Sequence, residues 1–219
     1  QASTLLTGGT NGTSSTTNYT EYTNLLKSTT WQTLAVVQDA STANALMDTF
    51  IRTMREDEGK YVQAVLPNYS NADYEGIINS VNGVVINGVT ISVNEFTAYI
   101  AGMTAGATVT ESNTGKVITG AESITNPMTN DEIIEALQNG KLVLSANQDG
   151  RIKVEKDINS LHSFTVDKTY TFSKNRVIRT LDEIGTSICS IWENTYLGKV
   201  SNNDSGRTLF KTSIITFGH

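Results

Sequence analysis

The chain has 219 residues, 38% of them apolar, with a formal net charge of -6, enough for one large or two ordinary globular domains with real cores. No apolar run reaches the ~18 residues of a membrane-spanning helix, and the mild acidity argues against nucleic acid as the main partner. The single cysteine, Cys189, has no second thiol to pair with and reads as a small buried apolar residue.

In chain order, Thr7-Gly8-Gly9-Thr10-Asn11-Gly12 is a glycine-rich turn. A phosphate cradle would need Lys and then Ser or Thr after the last glycine, and Gly12 is followed by Thr13-Ser14. A tight reversal suits it better. Asn18 to Glu21 has the spacing of a capping box, opening a short helix through Tyr19, Tyr22, Leu25 and Leu26. Trp31 to Val37 reads as a buried strand. A helix follows from Ser41 or Thr42, its apolar face running from Ala43 to Met54 and its stop at Gly59. The acidic cluster Glu56-Asp57-Glu58 points around the helix axis and reads as a solvated end.

Lys60 to Leu66 and Gly76 to Val81 are two more strands, the first broken by Pro67-Asn68. Val84 to Ile91 holds Asn87-Gly88, the strongest short hairpin signal. Ser92 to Glu95 is a second capping box, with Phe96, Tyr99, Ile100 and Met103 on a helix that ends near Gly106. This order is the rhythm of an α/β domain with a largely parallel sheet.

Residues 108–126 are polar and glycine-punctuated, a boundary with one short strand at Lys116 to Thr119. A third capping box, Thr129 to Glu132, starts a helix that Gly140 ends. Lys141 to Ala146 and Arg151 to Lys156 read as a hairpin around Asn147 to Gly150. A long amphipathic helix follows, with apolar residues at Val177, Ile178, Leu181, Ile184, Ile188, Ile191 and Trp192. Ser173 is the expected N-cap and Gly198 the stop, and Lys174 to Tyr196 would run on the order of 35 Å. Lys174, Arg176 and Arg179 crowd its start, where the helix dipole prefers acids. Thr208 to Ile215 reads as a helix or strand with an apolar face.

Hydrolysis by a Ser-His-Asp triad needs a histidine, and the candidates are His162, in a connecting segment, and His219, the last residue. No closely spaced set of zinc ligands occurs, and the acid pairs Asp131-Glu132 and Asp182-Glu183 each sit side by side on a helix. No catalytic site, cofactor site or metal site is expected. The four Asn-X-Ser/Thr sequons, at Asn11, Asn18, Asn68 and Asn203, follow from a composition rich in Asn and Thr. Two alternatives stay open: a nucleotide-binding or hydrolytic α/β domain using the loop from Gly8 to Gly12, and a cell-surface adhesion domain.

Several segments together resemble the tail sheath proteins of contractile phage tails and phage-like bacteriocins of Gram-positive type. They are Leu6 to Gly12, Gly59 to Val65, Ala72 to Ile78, Thr97 to Ala107 and Thr129 to Leu144. The most specific is Phe172-Ser173-Lys174-Asn175-Arg176-Val177-Ile178-Arg179, continued by Tyr196 to Asn203. The resemblance implies a subtilisin-like, non-catalytic α/β domain over residues 1–107 and an α+β C-terminal domain with a long helix over residues 108–219. It implies a non-enzymatic protein that polymerises with itself, as six-fold rings or a six-start helix, around an inner tail tube. Contraction of that sheath would drive the tube through a target envelope. Its other partners would be the baseplate and the tail terminator, with no cofactor, nucleic acid or direct membrane insertion. Its place would be the virion tail, assembled in the host cytoplasm. Against a full-length member, the chain is expected to be a fragment that lacks both terminal arms. Lys174, Arg176, Arg179 and Lys199 are the candidates for contact with an acidic tube.

Overall fold

Helices lie on both faces of a four-stranded parallel sheet, ordered β1-β2-β3-β7, in a computed structural model that describes residues 15–38 and 41–217. The strands are β1 (Thr33–Ala35), β2 (Gln63–Pro67), β3 (Ile77–Ser80) and β7 (Lys141–Leu142). The glycine-rich turn at Gly8 to Gly12 and His219 fall outside the described residues.

Side chains alternate across a strand, so each strand feeds two cores. Ala64, Leu66 and Ile77 join Met47, Phe50, Ile51 and Met54 of α2 (Ser41–Glu56) in one cluster. Val65 and Ile78 point the other way, to Phe96, Ile100 and Met103 of α3 (Val93–Ala105). That double coverage is why β2 is buried at every position and reads as a continuous apolar run. The helix α1 (Thr16–Lys27) adds Tyr19 and Leu26 to the first cluster.

A three-stranded antiparallel sheet sits beside the parallel one, in the order β5 (Val89–Ile91), β4 (Val84–Ile86), β6 (Ala121–Ile124). Asn87 and Gly88 adopt φ of 51° and 72°, the left-handed pair that a tight two-residue hairpin turn needs. The strand expected at Lys116 to Thr119 is only a bridge, Val117 to Lys153, and the paired strand falls a few residues later at β6.

The expected hairpin after α4 (Asn130–Gln138) is divided in two. Lys141 and Leu142 pair in parallel with Asn79 and Ser80, and only β8 (Leu144–Ala146) and β9 (Ile152–Val154) form the antiparallel pair. β7, which follows the expected division at 107/108, is thus the fourth strand of the sheet that β1 to β3 begin.

Two of the three capping boxes stand as expected. Ser92 and Glu95 cap each other reciprocally at α3, as do Thr129 and Glu132 at α4. At α1 the cap is Ser15, three residues before the expected Asn18, which instead donates its amide to the Ser15 hydroxyl. Hydrogen bonds from Ser92 hold Glu95 below its ordinary carboxyl pKa, and those from the Thr129 amide and hydroxyl do the same for Glu132. A depressed folded pKa gives stability that is present above the unfolded value and lost as pH falls through the folded one. Amide protection in the first turns of α3 and α4 is expected to drop as pH falls from neutral to about 3, and Glu95→Gln and Glu132→Gln to flatten that response. Unchanged protection over that range would show that the boxes do not hold the helix starts.

The C-terminal elements are a short 3-10 turn at Tyr170–Ser173, α5 (Asn175–Ile191) and α6 (Asp204–Phe217). Ser173 is not the N-cap of α5, because its hydroxyl turns back onto the carbonyl of Tyr170, and Lys174 takes that position without a side-chain cap. The helix continues as a wider π turn over Trp192–Tyr196, and Gly198 at φ 71° ends it as expected. The rings of Trp192, Tyr196 and Phe210 meet at 5.1–6.3 Å, and the Tyr196 hydroxyl lies 2.7 Å from that of Ser213. These contacts attach α6 to the end of α5.

Candidate interaction surface around the long helix

The start of α5 is set by a carboxylate from elsewhere in the chain. Asp157 follows β9, and its side chain is 1% exposed. It accepts hydrogen bonds from the Asn113 amide (3.0 Å), the Asn175 side chain (2.8 Å) and Arg179 Nη2 (3.0 Å). Asn113 and Asn175 are themselves fully buried. The backbone joins in: Asn175 N donates to the Asp157 carbonyl, and Ile158 bridges to Lys174. The acid that a helix N-terminus favours is thus present, supplied by tertiary contact. That resolves the mismatch of a basic helix start.

This geometry separates the four expected tube-contact residues. Arg179 is committed inward, its side chain only 10% exposed and bonded to Asp157 and to the Glu111 carbonyl at 2.8 Å. Lys174 and Arg176 are exposed, with the Lys174 ammonium 5.4 Å from the centre of the Tyr170 ring. Lys199 is exposed beyond the far end of the helix, where its ammonium donates to the carbonyl of Asn194. Twenty-odd helical residues separate it from Lys174, on the order of 30 Å, so the four do not form one patch.

The helix is mounted with its polar side inward. Asp182 makes a two-pronged ion pair with Arg55 of α2 at 2.6 and 2.8 Å, and Thr180 donates to the Val109 carbonyl. Gly185 lies against the Tyr61 ring, where a Cβ would come within 2.6 Å of ring carbon. Much of the apolar stripe is open to water, with Leu181, Ile184 and Trp192 each 43–44% exposed, while Ile178 at its start is buried. A cleft of about 610 Å³ separates the inward face from the central domain and is lined by Trp31, Tyr61, Asp182 and Cys189, among others. Cys189 is therefore exposed, not buried as expected, because it lies on the cleft side of the helix.

His162 supports no triad. Its Nδ1 lies 2.9 Å from the Ser160 carbonyl, and Asp73 accepts from the amides of His162 and Ser163. The Ser160 hydroxyl is taken up by the Tyr74 backbone. Partial burial works against the Asp73 charge, but the hydrogen bonds from Ser163 and His162 outweigh it and keep its pKa low. These groups tie a connecting segment to the central domain. Among the described residues, no group of three or more His, Cys, Asp or Glu is placed to hold a metal.

The Asp157 cluster escaped the sequence reading because the partners of Asp157 lie 18 to 44 residues from it. Nothing in local spacing marks Asp157 as different from the other acids on the chain.

Two family models match, the phage tail sheath protein central domain over residues 12–160 and the phage tail sheath C-terminal domain over residues 167–219. The XkdK protein of the Bacillus subtilis phage-like element PBSX is 34% identical over 190 residues, covering 85% of this chain and 41% of that protein. The crystal structure of a sheath tail protein from Desulfitobacterium hafniense superposes with a TM-score of 0.89 at 40% identity, covering 94% of this chain and 49% of that one. The helical sheath of the anti-feeding prophage in its contracted state shares the fold, with a TM-score of 0.68 at 15% identity over 91% of this chain and 57% of that one. The chain thus spans about half the length of the relatives it matches or less. With both family models matched in order along nearly the whole described chain, and a mixed α/β fold shared with a solved sheath protein, this chain belongs to the phage tail sheath family.

Proposed function

We propose that this chain is part of a subunit that polymerises into a contractile tail sheath around an inner tube, and whose contraction drives the tube through a target envelope. The observation that carries the reading is the match of both sheath domain models, in order, over residues 12–160 and 167–219. The likeness to a contracted helical sheath supports the fold that this reading needs. In the same reading the central domain is subtilisin-like in fold without its chemistry. The parallel sheet covered on both faces, and a His162 held by structural hydrogen bonds, agree with that. The subunit has no enzymatic role; its partners are further copies, the tube, the baseplate and the tail terminator, and it assembles in the host cytoplasm as part of a phage tail.

The tube contact falls to the exposed cations Lys174 and Arg176, with Lys199 as a separate contact beyond the helix. Arg179 positions the helix that carries them. Exposed ion pairs contribute about 0–1 kcal/mol each, so contacts of this kind can break and re-form as a sheath slides on its tube. The test is co-expression with a tail-tube protein of the same gene cluster, followed by electron microscopy of sheathed tubes. Lys174→Glu with Arg176→Glu is expected to lower the sheathed fraction by roughly ten-fold, the effect of about 1.4 kcal/mol. Sheathing at the unaltered level would remove these residues from the tube contact. No sheathing by the unaltered protein would count against the sheath reading itself.

A further inference from the structure

We propose that the loop leading into α5 is a docking knob for a second copy of this chain, received by the apolar groove beside it. This rests on the sheath reading, which requires copies to meet, and it names a surface where they do.

The knob is built in advance. Its ends are tied to the central domain: Asp73 accepts from the amides of His162 and Ser163 at 2.9 and 3.2 Å, and the Lys168 ammonium bonds to the buried carboxylate of Glu75. Between them the Thr165 amide donates to the Lys168 carbonyl, and the Lys168 amide donates to the Thr165 hydroxyl, both at 3.0 Å. Phe164 and Tyr170 meet edge to face at 5.7 Å across the base. At the tip, Val166 is 95% exposed, and Asp167 next to it is exposed and in no ion pair among the described residues. An apolar side chain held in water by a loop that is already ordered loses little further conformational freedom on binding.

The receptacle lies alongside. A groove of about 480 Å³ is lined by Ile134, Leu137, Leu161, Phe164 and Tyr170, with Lys156 as the single charged lining residue. Ile134, Phe164 and Tyr170 are 46–49% exposed, so its apolar floor is open to water. Lys156 is exposed and forms no ion pair among the described residues. The knob offers a valine and one carboxylate, and the groove offers an apolar floor and one ammonium. Opposite charges at the rim orient such an encounter, and the buried apolar tip holds it.

The occupant is a second copy: the exposed carboxylate of Asp167 at the knob matches the exposed ammonium of Lys156 in the groove, and Val166, 95% exposed, is not seated in the groove of its own chain. Knob and groove share Phe164 and Tyr170 at their common base, but the tip, Val166 and Asp167, is not part of the groove lining. One copy can therefore give its knob to one neighbour and receive that of another, the head-to-tail geometry that closes into rings or continues as a helix.

The test uses the whole chain with Cys189→Ser, so that introduced thiols are the only ones. A Val166→Cys chain is mixed with an Ile134→Cys chain under mild diamide oxidation, and disulfide-linked heterodimers are followed by gel electrophoresis. Coupling is expected to be roughly ten-fold faster than between the Val166→Cys chain and a Val89→Cys chain, whose thiol is also exposed but lies on the β4–β5 hairpin. Asp167→Lys in the first chain is expected to slow coupling, and Lys156→Asp in the second to restore it. Equal coupling to both partners, or no effect of the charge changes, overturns the proposal. The sheath reading is separated by the tube assay: sheathed tubes without preferred coupling remove the docking surface alone, whereas preferred coupling without sheathed tubes leaves the surface standing and counts against the sheath.

Discussion

Arg179→Ala is expected to destabilise the chain by about 3–5 kcal/mol, far more than its position on a helix surface stripe of basic residues would suggest. The substitution leaves the Asp157 carboxylate, 1% exposed, without its counter-charge. Water cannot replace the guanidinium there without opening the packing around Asn113 and Asn175, both fully buried. Removing one partner of a buried pair costs more than the pair itself contributes, because the remaining charge keeps its desolvation penalty. Arg179→Lys is expected to recover only part of the loss, since Asp157 and the Glu111 carbonyl are both reached by the terminal Nη2, and the shorter lysine side chain does not carry its ammonium as far. Arg176→Ala, three residues away on the exposed side, is expected to stay within ~0.5 kcal/mol of the unaltered chain. Amide exchange along α5 in the three variants measures this. Equal protection of α5 in Arg176→Ala and Arg179→Ala would mean that the Asp157 cluster does not anchor the helix.

The second large effect belongs to Gly140→Ala. Gly140 has φ 66°, and a Cβ there would lie 2.3 Å from the carbonyl oxygen of Ser160. Ser160 has little freedom to retreat: its amide donates to the Ile77 carbonyl at 2.7 Å, and its hydroxyl links to the backbone of Tyr74. A left-handed conformation costs an L-residue about 1–2 kcal/mol, and overpacking adds about 1–3 kcal/mol, so the sum is about 2–5 kcal/mol. Gly150→Ala provides the comparison, with φ 76° and no atom within 4 Å of its Cβ position. That variant is expected to show only the backbone part, about 1–2 kcal/mol. The difference in thermal midpoint between the two substitutions isolates the contact with Ser160. A Gly140→Ala chain no less stable than Gly150→Ala would show that the segment at Ser160 yields freely.

Local signals carried most of the central fold. Asn87-Gly88, the capping boxes at Ser92 and Thr129, and the apolar run through Ala64, Val65 and Leu66 each act within a few residues, and each forms where its spacing places it. What local spacing does not encode is which strand pairs with which. Lys141 and Leu142 look like the start of a hairpin, and their departure into the parallel sheet depends on Asn79 and Ser80, some 60 residues earlier. The same reason hid Asp157, whose partners come from two other segments, the loop at Asn113 and the start of α5. For the candidate interaction surface, periodicity found the long helix and its basic start but not how the helix is turned. Arg176 and Arg179 look alike in sequence, yet a rotation of three residues puts one in water and the other against a buried carboxylate.

The mounting of α5 has a consequence for how the molecule comes apart. Its attachment to the central domain is an ion pair to Arg55, a hydrogen-bonded cluster at Asp157 and a glycine against Tyr61, and only Asn175 and Ile178 on it are buried. Most apolar area shielded from water lies instead around the sheet, in the two clusters that α2 and α3 close. Heat capacity and denaturant slope both follow the area exposed on unfolding, so release of α5 and α6 carries little of either. The C-terminal helices are thus expected to exchange their amides as a separate, weakly denaturant-dependent unit, while the sheet and its two helices exchange together at the full stability of the chain.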